Sequence, residues 1–179
     1  MRHAPTRLRA VRVTDRQSAR SWSWFCGYCA APPPDGQRPA PFTRVCERCG
    51  LGVLLETPSD AAPSPDEVFL IVDQDLVLRA VSRRAEIELD VREPDVVGQR
   101  LSVLLPFSSH ARRLELAVQR AARGDDTLRH AAVRLDPSSE GRTPTRIACC
   151  GPPAAALLVF ERAGANDGDL VRTPRTKSP

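Results

Sequence analysis

From residue 66 onward, short apolar runs alternate with polar breaks. EVFLIVD, residues 67–73, is continuous and rich in β-branched side chains, which predicts a buried strand. DQD makes a turn, and LVLRAVS (76–82) predicts a second strand, closing a hairpin. Ser82 is placed to cap RRAEIEL, a short helix with Ala85 and Leu89 on one face. EPDVVGQRLSVLLP (93–106) mixes short helical turns with loop. SSHARRLELAVQRAARGD (108–125) carries the clearest helical period. Leu114, Val118 and Ala121 recur along one stripe, and Gly124 supplies a stop. TLRHAAVRL (127–135), TRIACC (145–150) and AAALLVFER (154–162) predict three more strands, separated by DPSSEGRTP and GPP. Two strands, several helices and three strands make an α+β arrangement: a five-stranded antiparallel sheet with helices on one face.

The chain before this region has a different texture. Residues 1–20 are rich in Arg and hold no sustained period, so they are expected to be a disordered basic arm. Residues 21–57 contain four cysteines in two tight pairs. TPSDAAPSP, at 57–65, has three prolines and no large apolar residue, and 58–65 is expected to be a linker. The polar end, 163–179, is expected to be a disordered tail. The full chain has 179 residues, with 41% apolar and 27% charged, near the averages for globular chains. That fits one ordinary domain and a small one.

Charge separates the two parts. Residues 1–57 hold nine arginines, no lysine and four acids, a net +5, so the rest carries −1 of the chain's +4. No apolar run approaches the length of a membrane helix, and the first residues lack the apolar stretch of a secretory signal. A cytoplasmic location without membrane contact is therefore expected. Thiols there are normally reduced, so paired cysteines point to metal or redox chemistry rather than disulfides.

Three stretches, FLIVDQDLVLRAVSRRAEIEL, EPDVVGQRLSVLLP and PPAAALLVFER, together resemble a PAS domain over residues 66–162. The resemblance lies in their order and spacing: an opening hairpin, a short helix after AVS, and the VVG segment. The family's short helix commonly ends in Gly, where this chain has Asp90, a residue type that tolerates a left-handed backbone. PAS domains sense small molecules, light, redox state or partner proteins, and the fold does not fix which. The NCR context of the flavin-photoadduct subgroup is absent. The family's haem binders use a helical histidine, for which His110 is the sole candidate; an exposed first-turn position is the expectation for it, and His3 and His130 are weaker still. No chromophore is assigned. Leu, Val and Ala dominate the region, and a core filled by side chains is expected.

The four cysteines form C-x2-C-x16-C-x2-C: Cys26, Cys29, Cys46 and Cys49. Zinc takes four thiolates in a tetrahedron, and a two-residue gap lets one tight turn aim two sulfurs at one ion. Gly50 after the second pair permits a left-handed turn. Structural Zn2+ in a zinc ribbon is the expectation; a rubredoxin-type iron site uses the same ligands. With four protein ligands no position is left for a catalytic water. The insert between the pairs need only span, because a segment this short cannot fold on its own apolar surface and a metal can substitute for a core. WFC resembles the start of the Ran-binding-protein type zinc finger, but that family has a shorter gap containing Asn, and this gap has none. Trp22, Trp24 and Phe25 are instead expected to cover the metal site, and an exposed Trp can serve as a docking anchor. Cys149 and Cys150 are adjacent on a strand, so one is expected in the core and the other outside it.

No P-loop, Rossmann glycine pattern or nucleophile elbow is present. No histidine-kinase, cyclase or helix-turn-helix pattern follows the PAS-like region. The expectation is a non-enzymatic signalling or regulatory protein: a PAS-like sensor or dimerisation domain, through which a homodimer can form, coupled to a zinc ribbon that contacts a protein partner. The alternative is a nucleic-acid-binding transcriptional regulator whose ribbon and arginines grip phosphate.

Overall fold

The computed structural model describes residues 20–40, 43–105, 111–135 and 141–161. His3, His110, the basic arm up to residue 19, the start of the long predicted helix and the tail lie outside them.

The main body is the PAS-like, α+β arrangement expected from the sequence. β3 (Val68–Val72) and β4 (Leu78–Val81) form the hairpin; β5 (Arg129–Val133), β6 (Thr143–Cys150) and β7 (Ala155–Phe160) complete a five-stranded sheet in the order β4-β3-β7-β6-β5. Every pairing is antiparallel, with Leu70 opposite both Val81 and Leu158, and Ile147 opposite Leu158. Between β4 and β5 run α1 (Arg83–Leu89), α2 (Glu93–Val96), α3 (Leu101–Leu104) and α4 (Ala111–Ala122).

Local chemistry sets these bounds. The buried Ser82 Oγ accepts from Ala85 N, which caps α1, and also from Phe69 N at 3.0 Å, which ties the cap to β3. Asp90 ends α1 in the left-handed region at φ 50°, which Asp tolerates better than most residues. Gly124 follows α4 at φ 90°. At the hairpin, Asp73 Oδ1 accepts from the N–H groups of Asp75 and Val77, both at 2.9 Å.

Side chains alternate across the sheet. Val68, Leu70, Val72, Ile147 and Leu158 meet Leu101, Val118 and Ala121 of the helices in one core. Seven of these eight are fully inaccessible or nearly so; Val68 keeps a few per cent. Phe69, Ile71, Leu157 and Val159 point to the opposite face, which an antiparallel sheet often leaves wet. Here the N-terminal module covers it. β1 (Trp22–Cys26) and β2 (Leu54–Pro58) form a two-stranded antiparallel ribbon with Phe25 opposite Leu55. Phe25 and Leu55 enter the second core, and the Phe25 ring meets Phe69 edge-on at 5.9 Å. The ribbon is also bonded to the sheet: Gly151 N donates to Glu56 O at 2.9 Å and Thr57 Oγ1 to Cys149 O at 2.9 Å.

Two expectations change because of this cover. Cys149 and Cys150 do face opposite ways, opposite Ala156 and Ala155, but both are buried, since neither face of the sheet is open. Residues 58–65, expected as a linker, are in part buried and tied to the ribbon: Ala61 is fully buried, Pro63 is buried, and Ser59 N bonds Ser21 O.

Candidate metal centre

Cys26 ends β1, and its N–H donates to Ala31 O while Gly27 N continues the ribbon ladder to Val53 O, both at 2.9 Å. The chain then turns through Gly27 and Tyr28 to Cys29, with Ala30 N returning to Cys26 O. The second turn repeats the device: Cys46 N bonds Gly52 O, and Gly50 N bonds Cys46 O. Each turn leaves its second cysteine through a left-handed residue, Ala30 at φ 60° and Gly50 at φ 67°. The sequence signals only the second of these, because Ala30 fills in the first turn the position that Gly50 fills in the other.

The two turns bring the sulfurs of Cys26, Cys29, Cys46 and Cys49 within 4.8 Å of one another. Cys26 Sγ lies 3.7 Å from Cys49 Sγ, and Cys29 Sγ 3.8 Å from Cys46 Sγ. A tetrahedron with metal–sulfur bonds of about 2.3 Å has edges of about 3.8 Å, so these separations fit one tetrahedral ion and are far too long for S–S bonds. Backbone N–H groups point at the sulfurs: Tyr28 N and Cys29 N at Cys26 Sγ, both 3.4 Å, and Gly52 N at Cys49 Sγ, 3.5 Å. Such donors stabilise thiolates. An ion bound here would supply a structural cross-link between the two turns and no open coordination position.

Without an ion the thiols of Cys26 and Cys29 shift opposite to that of Cys49. Burial pushes the Cys26 and Cys29 thiols up. Burial also acts on Cys49, but the N–H groups of Gly52 and Leu51, together with hydrogen bonds from the Cys26 and Cys29 thiols, outweigh it and bring this thiol down to about 7. Binding a metal would therefore expel the protons that Cys26 and Cys29 hold at neutral pH.

Gly52 is the residue the sequence reading missed. A Cβ there would run into Cys26 Sγ and stand 2.8 Å from Tyr28 Cβ and 2.9 Å from Tyr28 N. Its neighbour Gly50 has open space around it. Gly27 has a different task, since a Cβ would meet Ile71 Cδ1 at 3.0 Å, so its bareness lets the first turn sit on the sheet.

The aromatics divide by the period of the strand. Trp24, Cys26 and Leu54 share the outer face of the ribbon and form a small cluster with Ala31 and Cys46. Phe25 points the other way, into the sheet, and Trp22 is 44% exposed. Of the three residues expected to cover the cysteines, only Trp24 does so.

Tyr28, between the first two cysteines, joins this centre to the helices. Its carbonyl accepts from Arg83 N at 2.8 Å, and its hydroxyl donates to Glu86 Oε2 at 2.9 Å. Burial, then that bond, pushes the phenol up. Glu86 Oε1 in turn accepts from Glu93 N at 2.7 Å, and Glu93 Oε1 from Val81 N at 3.2 Å. His130, on β5, is exposed and stands on the opposite side of the molecule's main sheet order from β4.

No helix among the described residues is long and apolar enough to cross a membrane. No family model and no curated protein matches this chain. Solved structures similar to it include PAS domains. That of nitrogen regulation protein NR(II) from Vibrio parahaemolyticus is 15% identical, with 54% of this chain and 88% of that one covered and a TM-score of 0.41. The PAS domain of the RpfR quorum-sensing receptor from Cronobacter turicensis, in complex with BDSF, is 14% identical, with 56% and 97% covered and a TM-score of 0.45. The PAS domain of a LuxR-family transcriptional regulator from Burkholderia thailandensis, in complex with ethanol, is 13% identical, with 55% and 90% covered and a TM-score of 0.40.

Proposed function

We propose that this chain is a non-enzymatic signalling or regulatory protein in which a zinc-clasped ribbon is built onto a PAS-like sensor or dimerisation domain and carries the contact to a protein partner. The observation that carries this reading is Tyr28. It lies inside a metal turn and bonds the start of α1 through both its carbonyl and its hydroxyl. The order of that turn and the position of α1 are thereby linked, and the path continues through Glu86 and Glu93 to the edge strand β4. Four protein thiols around one point support a structural rather than a catalytic ion. Trp22, exposed at the ribbon's far end, is the anchor for a partner.

The nucleic-acid reading gains less support. Arg20 is engaged by Asp60 at 3.0 Å and Arg44 donates to Pro152 O at 3.2 Å, which leaves Arg38 and Arg48 as the exposed arginines of the described ribbon region. Elemental analysis tests the central part of the proposal. The purified chain should carry one equivalent of zinc, and Cys46→Ser should lose it; a Cys46→Ser variant that kept a full equivalent and its fold would defeat the four-thiolate site. Steeply salt-dependent binding to duplex DNA would favour the nucleic-acid reading instead.

A further inference from the structure

The β5 edge of the five-stranded sheet carries a second feature, which shares no residue with the cysteine cluster. A groove of about 400 Å3 runs between α4 and β5. It is lined by Arg113, Leu114 and Ala117 of the helix, by residues 129–132 of β5, and by Arg142. β5 is the terminal strand, paired with β6 on one side only among the described residues. Every second residue of such a strand turns its N–H and C=O outward, a ready template for one more strand.

The charge of the groove is one-sided. Arg129 is held by Asp125 at 2.6 Å and by Thr127 O at 3.1 Å. Arg113 and Arg142 are exposed and have no ion-pair or hydrogen-bond partner among the described residues. Arg146, on β6 opposite His130, does not add to them, since its two arms are taken by Glu67 and Glu161. Two guanidiniums without partners among the described residues therefore overlook a floor of Leu114, Ala117 and Ala131.

We propose that this groove docks an extended acidic peptide, which adds to β5 as a sixth strand, sets carboxylates on Arg113 and Arg142, and lays small apolar side chains on that floor. Main-chain bonds to an edge supply affinity in such modes, and alternate side chains supply specificity. A second copy of the chain fits worse, because β5 against β5 would bring Arg129, Arg142 and their copies together. A single-stranded nucleic acid fits worse as well, because His130 is the one aromatic side chain that lines the groove, with no Phe, Tyr or Trp beside it for successive bases to stack on. This site is independent of the metal reading.

The test uses the full zinc-loaded chain and a fluorescein-labelled octapeptide of alternating Glu and Val, followed by fluorescence anisotropy. Binding should weaken more than tenfold in the double variant Arg113→Glu/Arg142→Glu. Both residues are exposed, and an unchanged circular dichroism spectrum would show that the fold is kept. The same peptide N-methylated at alternate residues should not bind, nor should one with Lys in place of Glu. The proposal is overturned by no binding of the Glu-Val peptide, by equal binding to the double variant, or by undiminished binding of the N-methylated peptide. An oligothymidylate that displaces the peptide through the same two arginines would assign the surface to nucleic acid instead.

Discussion

At the scale of single residues, the candidate metal centre depends on atoms that are missing as much as on those present. Gly50 and Gly52 flank Leu51 and look alike in sequence, yet only Gly52 lacks room for a methyl group, because Cys26 Sγ and the Tyr28 backbone fill the space. Gly52→Ala should push the two turns apart and lose the metal. Gly50→Ala should keep it, at a cost of about 1 kcal/mol for a left-handed alanine. Elemental analysis of the two variants, with urea denaturation of the second, checks the contrast; equal metal loss in both would contradict it. The cysteine spacing was legible because the chemistry of a turn is local. Gly52 was not, since the atoms it must avoid come from the other cysteine pair. The facing of Trp24 and Phe25 was within reach, because period two puts Trp24 with Cys26 and Phe25 opposite.

At the scale of elements, α1 shows why the hairpin and the first helix could be read with their ends. Ser82 before the helix and Asp90 after it each do a job that needs only neighbouring residues. The structure adds a second partner, since Ser82 Oγ also accepts from Phe69 N across the hairpin. Ser82→Ala would leave two buried N–H groups without that acceptor. A loss of about 2 kcal/mol in denaturant stability is expected, more than a solvent-exposed cap provides. A loss of only a few tenths would show that the bond to Phe69 contributes little. α4 is legible for a different reason, since Leu114, Val118 and Ala121 repeat at helical spacing against a long sheet face.

At the scale of the molecule, reading the ribbon and the PAS-like region as separate units joined by a linker missed how they pack. VFLIV in β3 and AALLVF in β7 are apolar on both faces, which already argues that something covers each side of the sheet. What covers the second side could not be named from sequence, because a proline-rich stretch reads the same whether it is a spacer or a packed turn. Phe25 and Leu55 place ribbon and sheet in one core, so the chain should melt in a single transition when loaded with zinc. Phe25→Ala, which empties a fully buried site against Phe69, should destabilise the whole by about 3–5 kcal/mol. Two well-separated calorimetric transitions in the zinc-loaded protein would show that the two parts fold independently.

The link from the cysteine turns to helix α1 is tested most directly by amide exchange, recorded on the zinc-loaded chain before and after chelation. Arg83 N donates to Tyr28 O, and Glu93 N to the Glu86 carboxylate that holds the Tyr28 hydroxyl. Chelation is expected to accelerate exchange at both amides and along α1, while β6 and β7 at the centre of the sheet keep their protection. Unchanged exchange at Arg83 and Glu93, with the cysteine turns alone deprotected, would contradict a structural link between metal and helix.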